Sequence, residues 1–304
     1  VGNCLVGHLA RLGWTDMVLI DKGPLPNPGG STGHASNFIF PVDHNKEMAL
    51  LGVQSANQYR DAKRSVDSGG IEVARTPERM DEFQRRMTSA KAWGVEAELL
   101  TPAQVKELVP FINEDVILGG FSCPSVSVVD SLDTGTLFRN EAIEKTGLKV
   151  FANTEVLDVE TEDEPGTGLQ KVTAVVTDKG RIEAEYVVVA CGVWSNRIAN
   201  MAGATIPLVP AVHQMADVGP MDILAETQSE ISFPIVRDMD TFCYERQSSG
   251  SMEVGSYAHR PILHHPDDIP SNEEAALSPT EMPFTPDDFD QQMEEAIELM
   301  DMLG

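Results

Sequence analysis

Residues 2–21 read GNCLVGHLARLGWTDMVLID, and this stretch decides how the fold begins. Its leucines recur at helical spacing, and Gly13 supplies a C-terminal stop. The apolar run 17–20 then predicts a short strand that ends at Asp21. A glycine-led helix, followed by a strand with an acid at its end about 20 residues later, is typical of the second half of a dinucleotide-binding unit.

In a complete unit of this kind, a first strand and a glycine-rich turn precede the helix, and a pyrophosphate lies at the helix N-terminus. Gly2 matches only the last glycine of that turn, so we expect the first strand and two further glycines to precede residue 1. Asp21 would accept hydrogen bonds from a ribose. The alternative interpretation is an ordinary surface helix followed by a solvated acid.

The composition narrows the possible partners. At about 150 residues per domain, the 304 residues indicate two domains. Asp and Glu number 48 against 22 Lys and Arg, a net charge of −26, which repels polyphosphate chains and anionic lipids. We therefore expect no nucleic acid and no membrane among the partners. Four well-separated cysteines fit a reducing compartment, so we expect a cytoplasmic protein without a zinc ribbon.

A second glycine-rich segment follows Asp21. Residues 29–34 read GGSTGH, and their backbone N–H groups and small hydroxyls suit a phosphate or the edge of a flavin. Judged from the residues alone, His34 is a hydrogen-bonding loop residue. Farther along, two histidines and two aspartates occur together (His264, His265, Asp267 and Asp268), but adjacent residues of a loop rarely converge on one ion. We expect no metal site.

Several motifs, taken together, resemble the flavoprotein family of dimethylglycine oxidase, dimethylglycine dehydrogenase and sarcosine dehydrogenase. They are VGNCLVGHLARL (1–12), DKGPL (21–25), GSTGHA (30–35), GGIEVA (69–74), AWGVE (92–96), ILGG (117–120), VVVACGVW (187–194), PAVHQ (210–214) and GSYAHRP (255–261). The resemblance implies an α/β protein (α+β overall) with a Rossmann-like FAD-binding domain and an interleaved, mostly antiparallel substrate domain. The implied boundaries are 1–45 with 131–208 for FAD, and 46–130 with 209–304 for substrate.

The resemblance also implies roles for single residues. Cofactor contacts fall on Gly2, Asp21, Lys22, Gly30, Ser31, Thr32, His34, Ala190, Gly192 and Trp194, with FAD attached covalently to His34 or packed beside it. The implied catalytic residues are His213, as a base, and Tyr244, although a shift of one residue would exchange Tyr244 for Cys243. Tyr257, His259 and Arg260 would lie near the substrate. Because the chain is so acidic, an anionic substrate needs a local cation, and Arg260 is the candidate; a surface arginine without that role is the alternative.

The implied reaction is oxidation of the C–N bond of an N-methylated amino acid, of the dimethylglycine or sarcosine type, by hydride transfer to FAD. Folate is a possible further partner through a region beyond residue 304. Three alternatives stay open: another FAD-dependent amino-acid oxidase, a nicotinamide-dependent dehydrogenase, and an incomplete non-catalytic fragment.

Other local patterns add structural expectations. The apolar run 186–190 predicts a parallel strand buried on both faces, and the acidic run 160–166 predicts an exposed loop. Thr76 and Thr101, each followed by proline, predict helix starts. A final helix from Thr285 carries one apolar face, which we expect to pack against a segment downstream.

Overall fold

The computed structural model describes residues 1–227 and 229–304. Its helices are α1 Gly2–Arg11, α2 Lys46–Asp61, α3 Pro77–Trp93, α4 Pro102–Leu108, α5 Ser131–Thr146, α6 Ser195–Met201 and α7 Pro286–Leu299. Its strands are β1 Val18–Ile20, β2 Phe38–Ile39, β3 Ser65–Asp67, β4 Gly70–Ala74, β5 Glu98–Leu100, β6 Gly119–Cys123, β7 Ser127–Val129, β8 Lys149–Phe151, β9 Val156–Asp163, β10 Gln170–Thr177, β11 Gly180–Glu183, β12 Ala211–Val212, β13 Gln214–Val218, β14 Ile235–Asp238, β15 Cys243–Ser248, β16 Ser251–Ser256 and β17 Ile262–Leu263.

The chain forms two compact units, each assembled from three separate segments. The first unit comprises Val1–Ser36, Ser131–Val212 and Ile262–Pro283, and the second comprises Asn37–Asp130, His213–Pro261 and Phe284–Gly304. The main difference from the predicted domain boundaries is the segment 262–283, which the prediction assigned to the substrate domain. In the structure β17 pairs with β12 of the first unit, and this pairing draws the segment there.

In the first unit, α1 ends and β1 begins where the sequence predicts. β1 pairs in parallel with β8, and α1 packs against α5 through a small core that includes Val6 and Ala142. Gly7 permits the close approach of the two helices, because a Cβ at this position would lie 2.7 Å from Cδ1 of Phe138.

Two expectations for the first unit are wrong. Residues 186–190 form no strand, and the side chains of Tyr186 and Val188 are 76% and 65% exposed. An extended apolar segment becomes a buried strand only when neighbouring strands complete its hydrogen bonds, and no described strand pairs with this one. The acidic run 160–166 is only partly a loop, because β9 continues to Asp163 and pairs with β10.

The second unit is built on a seven-stranded mixed sheet in the order β13-β16-β15-β14-β4-β6-β5. One face of this sheet packs against α4 and α7, in a core that includes Val254 and Leu299. On the opposite face, α3 and the segment around β2 cover the β4–β6 side. Its β13–β16–β15 side carries partly exposed side chains such as Met215 and Tyr257. We call this side of the sheet the open face.

Local signals place the helices of the second unit. Thr76 caps α3, which ends at Gly94 in a left-handed conformation, and Thr101 forms a complete capping box with Gln104. The apolar face of α7 packs on the core of its own unit, so the expectation of a partner farther downstream is wrong. Among the described residues, no helix combines the length and the apolar character needed to cross a bilayer.

Candidate functional site

His34 lies in the first unit, directly after a short 3-10 helix formed by Ser31–Gly33. Its Nε2 is 2.8 Å from Oγ1 of Thr280, and the same hydroxyl donates to the carbonyl oxygen of Gly29 at 3.0 Å. The hydroxyl of Ser131 donates to the carbonyl of Thr32 at 2.8 Å. Backbone anchors on both sides therefore fix the segment that carries the imidazole.

Close packing fixes the same segment further. Gly29 has a φ of +90°, and a Cβ there would lie 2.5 Å from Oδ1 of Asn272 and 2.7 Å from Cδ of Pro279. A Cβ at Gly33 would meet the side-chain amide of Asn27 at 2.6 Å. At Gly29 the positive φ disfavours any other residue, and at both glycines a Cβ would force the neighbouring side chains to move. We refer to residues 21–34 as the flavin loop.

Asp21 directly follows β1 and is the first residue of the flavin loop. Its Oδ1 accepts the backbone N–H of Gly23 at 3.0 Å, and partial burial raises the pKa of the carboxyl against the opposing effects of that hydrogen bond and of Arg139. Gly23 is the only hydrogen-bonding partner of this carboxylate among the described residues. The second oxygen is thus free to accept a ligand hydroxyl.

The turn after residue 189 lies against the N-terminus of α1. A Cβ on Gly2 would lie 3.6 Å from Cβ of Ala190, and burial, together with a smaller effect of Asp21, raises the pKa of the Cys191 thiol. Gly192 has a φ of +53° with open space around it. The structure thus brings together three sequence-predicted segments, around residues 2, 21 and 190.

The other predicted cofactor residues differ in how they are held. Lys22 forms an exposed ion pair with Glu155 at 2.8 Å, so its ammonium already has a partner. Gly30 lies beside the ring of Trp194, at 3.8 Å from the position of a Cβ. The hydroxyls of Ser31 and Thr32 are exposed and donate to no acceptor within the part of the chain that the structure describes.

The substrate residues that the sequence predicts all lie in the second unit. One row of directly paired residues crosses the open face: Arg237 on β14, Tyr244 on β15, Gly255 on β16 and Met215 on β13. Residues paired in this way project from the same side of a sheet. The ring of Tyr244 lies over Gly255, where a Cβ would overlap it.

Register settles which of two neighbours faces the open side. Tyr244 stands in the row with Arg237 and Gly255, whereas Cys243 projects to the opposite face and contacts the carbonyl of Gln292 on α7. Burial, with a further contribution from Glu245, raises the pKa of the Cys243 thiol to about 11. The thiol is therefore protonated and enclosed at neutral pH.

Aromatic rings extend this row into a continuous series, which we call the ring series. Successive ring centroids are 5.7 Å apart for Phe40 and Phe38, 5.0 Å for Phe38 and Tyr244, 6.1 Å for Tyr244 and Tyr257, 4.7 Å for Tyr257 and His213, and 5.5 Å for His213 and His259. Such separations are typical of favourable ring packing. Tyr244, Tyr257, His213 and His259, which the sequence selected separately, are thus neighbours.

His213 is held in the ring series without a hydrogen bond among the described residues. Burial, and to a lesser degree the neighbouring His259, lowers the pKa of His213 from its ordinary value of 6.5. Its ring is therefore neutral at pH 7. The Nδ1 of His259 lies 2.7 Å from the carbonyl oxygen of Arg260, which can only accept, so Nδ1 carries a proton, and the buried Nε2 has no hydrogen-bonding partner among the described residues.

Two arginines flank the ring series, and they differ in what they already bind. Arg260 is 66% exposed and forms a two-pronged ion pair with Asp288, with Nε–Oδ1 at 2.8 Å and Nη2–Oδ2 at 3.0 Å. Arg237 is 30% exposed, lies 4.9 Å from the centroid of Phe40, and among the described residues donates only from Nη1, to Glu72 at 3.0 Å.

Glu72 is shared between two cations. It is 1% exposed and also pairs with Arg86 at 2.5 Å. Two guanidinium groups therefore face one carboxylate, which leaves a local positive charge beside the rings. The sequence reasoning missed Arg237 because nothing in its local sequence separates it from a surface arginine.

The histidine and aspartate pairs at 264–268 were considered in the sequence as possible metal ligands. Among the described residues no group of three His, Cys, Asp or Glu side chains is arranged to hold an ion. Nδ1 of His265 accepts the backbone N–H of Asp267 at 3.3 Å, and the carboxylate of Asp267 lies 3.4 Å from Nε of Arg197, so these exposed groups already have partners within the chain.

Comparison with known proteins identifies the family of this chain. The model of the DAO family, described as FAD-dependent oxidoreductases, matches residues 1–303. The chain belongs to this family. Mouse sarcosine dehydrogenase is 30% identical over 266 residues, which cover 84% of this chain and 28% of that protein. The mouse regulatory subunit of pyruvate dehydrogenase phosphatase is 26% identical over 270 residues, which cover 86% of this chain and 29% of that protein.

The chain thus spans less than a third of the length of these relatives. Among solved structures, the L-proline dehydrogenase of P. horikoshii is similar in fold, with a TM-score of 0.79 at 22% identity over 99% of this chain and 74% of that one. The match bears out the expected α/β fold class of an FAD-dependent oxidoreductase.

The first unit fits the FAD that this family uses. The N-terminus of α1 has no side-chain cap and no acid in its first turn, so its N–H groups suit a pyrophosphate. Near Asp21, the buried Nη1 of Arg139 lacks an acceptor among the described residues, and the turn at Gly192 is open. These are the donors and the free space that a dinucleotide needs.

Proposed function

We propose that the protein oxidises the C–N bond of an N-methylated amino acid of the sarcosine or dimethylglycine type. The observation that carries this proposal is a neutral imidazole, His213, in contact with Tyr257 on a sheet face that also bears Arg237. Another amino acid with an oxidisable C–N bond is the alternative within the same chemistry. The proposal is supported by membership of an FAD-dependent family and by the 30% sequence identity to mouse sarcosine dehydrogenase.

His213 would act as the base. The amine of such a substrate is protonated at neutral pH, and a hydride leaves the adjacent carbon only when the nitrogen has a lone pair. A neutral imidazole can accept the ammonium proton, and a pKa near the working pH makes that transfer efficient. Bound FAD would supply the acceptor for the hydride. Water or folate would then accept the one-carbon product.

Arg237, rather than Arg260, would bind the substrate carboxylate. A chain of charge −26 repels an anionic substrate, so a local cation has to offset that repulsion. The guanidinium of Arg260 is occupied by Asp288, whereas Nε and Nη2 of Arg237 have no acceptor among the described residues. Arginine binds carboxylates through such pairs of N–H groups. The rings of Tyr244 and Phe38 beside Arg237 would pack against the methyl groups.

The reaction is tested by anaerobic mixing of the flavin-loaded protein with sarcosine and with dimethylglycine. Loss of the flavin absorbance is the expected result. Trimethylglycine is the matched control, because its quaternary nitrogen has no lone pair to assist the loss of a hydride from the adjacent carbon. A flavin-loaded protein that neither sarcosine nor dimethylglycine reduces would contradict the proposal.

Carboxylate binding is tested with Arg237→Ala, and Arg260→Ala is the matched control. Loss of a charge-assisted hydrogen-bonded pair typically costs about 1.5–3 kcal/mol, so we expect KM for dimethylglycine to rise roughly 10- to 100-fold in Arg237→Ala. Glu72 keeps its partner Arg86 in this variant, which favours normal folding. A larger effect of Arg260→Ala would assign the carboxylate to Arg260 instead.

The 26% sequence identity to the regulatory subunit of pyruvate dehydrogenase phosphatase supports a second candidate function, that of a non-catalytic flavoprotein. The same anaerobic experiment separates the two candidates. A protein that binds FAD but is not reduced by any of the amines would favour the regulatory alternative.

A further inference from the structure

Three charged side chains of the second unit lie together where β4 pairs with β14. Glu72 on β4 is directly paired with Arg237 on β14, so the two side chains project from the same side of the sheet. Arg86 reaches Glu72 from α3. We call Glu72, Arg86 and Arg237 the charge triad. The proposed function uses Arg237 and gives Arg86 no role.

The two oxygens of Glu72 are engaged by different guanidinium groups. Oε1 accepts from Nη1 of Arg237 at 3.0 Å, and Oε2 lies 2.5 Å from Nη2 of Arg86. The side chain of Glu72 is 1% exposed, so water screens these charges only weakly. Two cations against one anion leave the charge triad with one unit of positive charge.

Arg86 is held in place by more than this ion pair. Its Nη2 also donates to the carbonyl of Val42 at 3.2 Å, and its Cζ lies 5.0 Å from the ring centroid of Phe121. Its Nε and Nη1 are buried without a hydrogen-bonding partner among the described residues. Burial of a paired charge adds little net stability, so stability alone does not account for a second arginine at Glu72.

The position of Arg86 decides how Arg237 can bind Glu72. Arginine and a carboxylate tend to pair through two parallel hydrogen bonds, which would engage both oxygens of Glu72. Arg86 occupies Oε2, and Arg237 accordingly donates to Glu72 from Nη1 alone. Nε and Nη2 of Arg237 therefore keep their capacity to donate, and the excess positive charge lies beside them.

We infer that Arg86 is a positioning residue for the substrate carboxylate: it occupies Glu72, so that Arg237 stays available to an anionic ligand. This inference rests on the role of Arg237 in the proposed function. Arg86 acts through Glu72, because its own side chain is buried beneath the sheet face that would bind the ligand.

The inference is tested by changing the charge of the triad in both directions. Arg86→Met lowers it from one positive charge to none, Glu72→Gln raises it to two, and the double variant restores one. We expect KM for dimethylglycine to rise about 3- to 30-fold in Arg86→Met and to fall by a similar factor in Glu72→Gln, as is typical for coupled residues of one ion-pair network. The double variant should return to within about 3-fold of wild type.

The opposite signs separate this role from a merely structural one. A structural defect would raise KM or lower kcat in every variant, because each breaks the same contacts. Here kcat should stay within about 2-fold of wild type, since only ground-state binding of the carboxylate changes. A raised KM in Glu72→Gln, or an unchanged KM in Arg86→Met, would overturn the inference.

Arg85→Met is the matched control, because it removes one positive charge from an exposed neighbour on the same helix. Its KM should equal that of wild type. If Arg86→Met does not fold, as judged by near-ultraviolet circular dichroism, Glu72→Gln and the double variant still differ only in the charge of Arg86. KM should then be about 3- to 30-fold higher in the double variant, and equal values would overturn the inference.

Binding of trimethylglycine separates this inference from the proposed oxidation. This ligand keeps the carboxylate and is not oxidised, so its Kd can be measured by titration calorimetry of the flavin-loaded protein without turnover. The Kd should be highest in Arg86→Met and lowest in Glu72→Gln. That order in a protein that no amine reduces would uphold the role of Arg86 and refute the oxidation, whereas equal Kd values would overturn the role of Arg86.

Discussion

His34 in the first unit and His213 in the second are both imidazoles that the sequence singles out, yet the structure holds them in different ways. His34 is fixed by a hydrogen bond to Thr280 in a tightly packed loop. His213 is held by ring contacts with Tyr257 and His259. A hydrogen bond determines which nitrogen carries the proton, whereas ring packing fixes the plane and leaves both nitrogens available. The first arrangement suits one permanent bond, and the second suits gain and loss of a proton.

The largest expected effect comes from His213→Gln, which removes the proposed base. General-base catalysis typically contributes about 10²- to 10⁴-fold, so kcat/KM for dimethylglycine should fall by that factor at pH 7. If FAD is attached covalently to His34, as the resemblance to the family implies, the flavin that stays in the acid pellet should be unchanged. Steady-state kinetics and flavin absorbance of the acid pellet check the two halves of this prediction.

His265→Gln is the control, because His265 is an exposed histidine outside the ring series. If His213→Gln also released flavin into the supernatant, the two imidazoles would not act separately, and the assignment of different roles to His34 and His213 would be wrong.

A smaller effect is expected from Gly255→Ala, which tests the packing beneath the ring series. The added methyl group would overlap the ring of Tyr244. Overpacking of this kind costs typically about 1–3 kcal/mol, and the free energy of unfolding should fall by that amount in denaturant titration. Gly250→Ala in the adjacent turn meets nothing within 4 Å and is the matched control. Equal stability of the two variants would mean that Tyr244 is not held against β16.

The smallest effect is a shift in pH dependence. His259 contributes, after burial, to the lowered pKa of His213. His259→Gln removes this contribution, so the pKa of His213 should rise partway towards 6.5. The base works only when deprotonated, so the acid limb of kcat/KM should move to higher pH by less than about one unit, with no change at pH 8. A pH profile between 5 and 9 measures the shift, and a displacement to lower pH would contradict the assignment.

The sequence predicts the helices of both units well because their signals are local. Thr76 and Gly94 bound α3, and Thr101 with Gln104 starts α4, through hydrogen bonds that span three or four residues. The same holds for β1 and the acid at its end. These features depend on neighbours along the chain, so the amino-acid order is enough to specify them.

The segment 186–190 shows where local reasoning fails. Its apolar residues satisfy the pattern of a buried strand, but a strand also needs partners that complete its hydrogen bonds. Whether partners exist depends on distant parts of the chain. Because this segment has no such partners among the described strands, the side chains of Tyr186 and Val188 are exposed.

By itself the sequence determined the family-specific motifs, the acid at the end of β1 and the glycine-rich loop around His34. Only the tertiary structure decided that Tyr244 and not Cys243 lies on the open face, that Asp288 occupies two N–H groups of Arg260 while Glu72 occupies one of Arg237, and that Thr280 anchors the ring of His34. The physical reason is the separation along the sequence of the groups that interact. Motifs and caps rely on contacts between near neighbours, whereas strand register, ion-pair choice and imidazole tautomer depend on groups that only folding brings together.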